Sequence, residues 1–162
     1  MSSDLHGDSV EPWGVHSGFC VGALGPVVAV VWRGAVTTTA VAEVTAVLER
    51  TALASRDPIA FLTVAEFKAP VPPSQVREAI VTCYRGLGPK LACIAHVVEG
   101  DGFWACGARC FIAGLGLLAR RQQPMDIFGD VDTASIWMRG WLEHPPETNA
   151  VTNAVAGLRV AM

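Results

Sequence analysis

Charge is scarce in this sequence. Asp, Glu, Lys and Arg make up 17% of 162 residues, and Lys68 and Lys90 are the lysines. The formal net charge is −3, and no Lys/Arg cluster forms along the chain. A nucleic-acid binder advertises itself by a basic patch, so nucleic acid is not an expected partner. The short signatures of common chemistry are missing too. There is no G-x-S-x-G, no P-loop and no G-x-G-x-x-G opening a helix. Gly100-Asp101-Gly102 imitates a phosphate loop, but Asp101 would repel an anion and reads instead as a turn and helix cap. No C-x-x-C-H haem attachment is present. The opening MSSDLHGDSVEPWG is polar and acidic, without the basic and apolar segments of a secretory signal. The expected location is cytoplasmic.

Disulfide logic is absent as well. The five cysteines (Cys20, Cys83, Cys93, Cys106 and Cys110) are odd in number and follow no framework spacing, which points to reduced thiols. Cys106 and Cys110 lie four apart and share a helix flank. With His96 in the preceding strand they suggest a metal or redox site, yet C-x₃-C is a weak pattern for zinc. The expectation is small buried residues, no metal and no cofactor. His6, His16 and His144 are expected to be solvated.

What the chain has is apolar bulk. Hydrophobic residues make up 51%, enough for one domain with a sizeable core and no staples. Residues 1–17 show no apolar period and read as disordered. FCVGAL, the turn Gly25-Pro26 and VVAVVWRG then form a hairpin. Thr37, Thr38 or Thr39 caps a helix through Val41, Val44, Leu48 and Ala52, which stops before Asp57-Pro58. IAFLTVAEF is a strand. Pro72 or Pro73 opens a second helix, which Gly86 and Gly88 end. LACIAHVVE is the next strand, followed by a helix over about 103–119. MDIFGDV is a short last strand, and Asp132 caps a final helix that Pro145-Pro146 stops. Residues 145–162 form a tail whose order is left open. Phe103–Ala119 is apolar enough to imitate a membrane span, but Arg109 near its middle and three glycines argue against one.

The order β-β-α-β-α-β-α-β-α predicts an α/β fold over residues 18–144. Its mixed, mainly parallel sheet has about five strands and about four helices. This order resembles the STAS domains, and the chain is similar to their divergent SpoIIAA-like branch. The patterns are VVWRG closing the first strand pair, the central strand IAFLTVAEF, LACIAHVVEGDGFWACGARC and MDIFGDVDTASIWMRGWL. The resemblance implies a non-enzymatic regulatory or scaffolding module with protein partners. Classical members carry Asp-Ser-Ser-Gly at the start of the second helix, with its first serine phosphorylated. Here the segment is Lys68-Ala69-Pro70-Val71-Pro72-Pro73-Ser74-Gln75, and Ser74 alone can stand in. Serine there is more often a cap or turn residue, although a phosphate would suit a helix N-terminus.

Two further features bear on function. Glu66, Glu99 and Asp130 fall near strand ends, where α/β sheets bind ligands, but nothing in the sequence brings two of them together. At 100° per residue, Phe103, Trp104, Gly107, Phe111, Gly114, Leu115 and Leu118 should pack on the sheet. Ala105, Arg109, Ala113, Gly116 and Arg120 should face outward. That outer face is small and smooth where Glu, Lys and Gln are usual. A partner protein, a second copy of the chain or a terminal tail is expected to cover it. The alternative function is a binding protein for a small apolar or lipid-like ligand, with Trp104 and Phe111 lining a pocket.

Overall fold

The computed structural model describes residues 11–16, 18–119 and 123–162. Six strands form one sheet in chain order: β1 (Glu11–Val15), β2 (Phe19–Leu24), β3 (Val27–Trp32), β4 (Ile59–Ala65), β5 (Leu91–Val98) and β6 (Met125–Phe128). β1, β2 and β3 pair antiparallel, and β3 through β6 run parallel. The helices are α1 (Thr38–Ala54), α2 (Ser74–Leu87), α3 (Gly102–Leu118), α4 (Val131–Arg139) and α5 (Thr148–Ala161). The fold is the expected α/β class, with one strand and one helix more than the sequence pattern counted.

Alternation along the strands divides the core in two. In β4, Ile59 and Phe61 point to the face covered by α1, α2 and α3, while Ala60, Leu62 and Val64 point to the face covered by α4 and α5. β-branched residues fill β3 because both of its faces are buried. Among the described residues, no helix is long and apolar enough to cross a membrane.

The helix boundaries follow local chemistry. The Thr37 hydroxyl accepts from the Ala40 amide at 3.1 Å and starts α1, a bond worth about 1 kcal/mol. Pro73 is the N-cap residue of α2, one place before the helix, and Gly88 ends that helix at φ 51°. Asp130, not Asp132, caps α4: its carboxylate accepts from the Thr133 amide at 2.7 Å. Asp132 sits inside the first turn and accepts from the Thr152 hydroxyl of α5.

Both ends of the domain extend beyond the expected boundaries. Residues 11–15, read as disordered, form the edge strand β1; its amides and carbonyls pair with β2, which needs no apolar period of its own. Residues 1–10, His6 among them, and residue 17 lie outside the described residues. The open tail becomes α5, which buries Ala150, Val151, Ala154, Val155 and Leu158. Those small residues make a narrow apolar stripe that seats closely on the sheet.

Candidate functional site

The parallel register of β4 and β5 places Thr63 opposite His96. Both side chains point to the α1–α3 face, surrounded by apolar neighbours. The Thr63 hydroxyl and His96 Nδ1 are 2.6 Å apart. His96 is 3% exposed, and its Nε2 is buried without a hydrogen-bond partner. Burial holds the imidazole down at about 4, so it is neutral near pH 7. An unpaired polar atom in such surroundings costs about 1–3 kcal/mol.

This pair lines a half-open pocket of about 100 Å³. Trp32 and Phe61 supply the sheet side of its wall, and Val41 and Val44 come from α1. From α2, Ile80 and Tyr84 close a second side, and α3 contributes Trp104, Ala108 and Phe111. Burial pushes the Tyr84 hydroxyl far up, so it too stays protonated. Trp104 and Phe111, the two aromatics expected to line an apolar pocket, both do so.

The mouth is framed by the loop after β4, where Ala69, Pro70, Val71 and Pro72 touch the pocket. Trp104 anchors that loop: its indole Nε1 donates to the Ala69 carbonyl at 2.7 Å, and its ring meets Phe67 edge-on at 5.6 Å. Lys68 within the loop has φ 67°, a conformation unusual for a residue with a side chain. Gly100 sits opposite at φ 88°, and a Cβ there would come within 2.6 Å of Phe67. The glycine after β5 thus makes room for the ring that steadies the loop.

The strand-end carboxylates serve a different purpose. Glu66 is chelated by Arg33 at 2.7 and 3.1 Å. Arg159, from α5, bridges Glu66 at 3.3 Å and grips both oxygens of Glu99. The Arg33 guanidinium, more than any other neighbour, holds the Glu66 carboxyl below the usual range. Two acids and two arginines neutralise one another and clasp α5 over the ends of β3, β4 and β5. Asp130 stands apart from them as the α4 cap. Sequence spacing gave no sign of this clasp because its fourth member comes from the tail.

α3 is rotated relative to the expected packing. Ala105 and Gly116, expected outside, are buried with Ala108, Phe111, Ile112 and Leu115. Phe103 and Leu117, at 97% and 75% exposed, face outward with Leu118, Gly107, Arg109 and Ala113. Arg120 lies outside the described residues. Apart from Arg109 the helix is apolar on every side, so side-chain character gave little basis for choosing its inner face; the small Ala105 and Ala108 allow closer seating on the sheet. Cys106 and Cys110, expected to be buried, are exposed, whereas Cys20, Cys83 and Cys93 are buried and all five are free. Among the described residues, no group of three His, Cys, Asp or Glu is placed to hold a metal. Ser74 is the exposed first residue of α2, and no side-chain cap bond forms there.

No family model, curated protein or solved structure matches the chain. The STAS resemblance therefore rests on the sequence patterns alone.

Proposed function

We propose that this chain is a binding module for a small apolar ligand, held between α1, α2, α3 and the sheet. The observation that carries this reading is the apolar pocket with a single buried, unpartnered imidazole nitrogen in its wall. An engineered core cavity of about 150 Å³, lined by apolar side chains, stays dry and takes up benzene. This pocket is of the same order and half open, so a longer ligand can extend past the Pro70–Pro72 rim. A holding role suits His96 better than a catalytic one. A base with a pKa of about 4 is poorly matched to proton abstraction near neutrality.

The test is titration of the ¹⁵N-labelled protein with ethylbenzene. Saturable amide shifts should appear at Phe61, Tyr84, Ala108 and Phe111 and vanish in Ala108→Leu, which fills the space. The absence of any saturable shift in the native protein overturns the reading.

A second reading has its own observation. Phe103, Cys106, Gly107, Cys110, Ala113 and Leu117 follow one exposed stripe of α3 with almost no polar residue in it. Exposed apolar stripes of this kind mark protein contacts. They favour the regulatory or scaffolding interaction module, with a partner protein or a second copy of the chain on α3.

A further inference from the structure

Among the polar groups of the pocket, Thr63 and His96 share one hydrogen bond, and the placement of its proton has a chemical consequence for what the pocket can hold. Neutral imidazole carries one proton, on Nδ1 or on Nε2. In the first arrangement Nδ1–H donates to Thr63. The threonine hydroxyl proton then has no acceptor, and the Nε2 lone pair is bare. In the second, Thr63 donates its hydroxyl proton to Nδ1, and Nε2 carries the N–H.

The number of unpaired polar groups selects the second. The first arrangement leaves two, the Thr63 hydroxyl proton and the Nε2 lone pair. The second leaves one orphan, the Nε2–H, and a ligand can satisfy it. Buried donors in native proteins are almost always paired.

We infer that the ligand is a neutral, mostly apolar molecule bearing a hydrogen-bond acceptor, in the manner of a ketone, aldehyde or ester carbonyl, which receives the proton of His96 Nε2. Thr63 is a positioning residue: it fixes the tautomer and presents the donor. A carboxylate is disfavoured because, among the described residues, no Lys or Arg lines the pocket to share its charge. A donor-only ligand is disfavoured because it would set N–H against N–H. Tyr84, also protonated and lining the pocket, is compatible with an acceptor group.

This inference rests on the ligand-binding reading and can fail separately from it. The direct measurement needs no ligand. Long-range ¹H–¹⁵N correlation on the histidine rings reports which nitrogen of His96 is protonated. A protonated Nε2 with bare Nδ1 is expected, and a protonated Nδ1 overturns the assignment.

The ligand class is tested with two matched pairs, acetophenone against ethylbenzene and indole against indene. Acetophenone should bind about tenfold more tightly than ethylbenzene, and indole should gain nothing over indene. The acetophenone preference should disappear in His96→Phe and shrink in Thr63→Val, which keeps the threonine shape. Equal binding of acetophenone and ethylbenzene, or a preference for indole, overturns the acceptor class while the pocket still binds. No binding of any of the four overturns both readings.

Discussion

The two faces of the sheet are built from neighbouring residues of the same strands, yet they differ in how they close. Under α4 and α5, Val31, Leu62, Val64, Cys93 and Leu158 are almost completely enclosed, and even the small Cys93 thiol is desolvated, its pKa pushed up to about 12. Under α1, α2 and α3 the same strands carry larger and more polar residues: Trp32, Phe61, Thr63 and His96. Bulky aromatics and a hydrogen-bonded pair cannot interdigitate as closely as short aliphatic side chains, and a pocket is left. One face is a packed wall and the other a receptacle.

The largest effects should come from the packed wall. Leu158→Ala removes a fully buried side chain from α5 and should cost about 2–5 kcal/mol. Ile80→Ala, on the pocket side, enlarges a space that already opens outward and should cost about 1–2 kcal/mol. Paired urea denaturation curves check the difference, and equal losses would mean that the two faces are packed alike.

Acid should next expose the pocket face. The pKa of His96 is about 4 folded against about 6.5 unfolded. As pH falls below 6.5 the unfolded chain takes up a proton that the folded protein refuses, so stability is full above 6.5 and declines toward 4. Over that interval of about 2.5 units the loss attributable to His96 is on the order of 3 kcal/mol. Thr63, Cys83 and Tyr84 are the polar groups beside it in the pocket, and the last two remain uncharged through the same range. Glu66 acts in the same direction lower down, since its depressed pKa contributes stability lost only as pH falls through its folded value. Denaturation at pH 7, 6, 5 and 4 should show the decline in the native protein and a much flatter profile to pH 5 in His96→Phe.

The smallest effect on stability belongs to the outside. Ala113 is exposed on α3, so Ala113→Glu should change folding stability by less than about 0.5 kcal/mol. If the apolar stripe is an interface, native mass spectrometry should nevertheless show a loss of dimer or co-purified partner. An unchanged oligomeric state and partner set would make that stripe ordinary surface and leave the pocket as the functional feature of this half of the molecule.

Much of this architecture was legible from local chemistry. β-branched runs bounded by Gly25-Pro26, Asp57-Pro58 and Gly100 locate β2 to β5, because such residues favour the extended chain and those breakers interrupt it. Thr37, Gly88 and Pro72-Pro73 mark helix ends within a residue or so. The apolar character of 103–119, with Trp104 and Phe111, offered a pocket wall as the alternative to an interaction face. By contrast, β1 draws its order from hydrogen bonds supplied by β2, and α5 from a surface formed by β2 and β3, so neither was readable in its own segment. The inner face of α3 was undetermined for a related reason: with no polar side to its helix, only the shape of the sheet selects Ala105 and Ala108.

The amino-acid sequence by itself determined the elements, their order and the division of apolar from polar stretches, since those depend on neighbours along the chain. The tertiary structure decided that Thr63 meets His96, that Arg159 reaches Glu66 and Glu99, and that α3 leaves Phe103 outside. Each of these depends on residues 33 or more apart, or on a whole surface, being brought together. Strand register and helix seating set such meetings, and they are settled only when the layers pack.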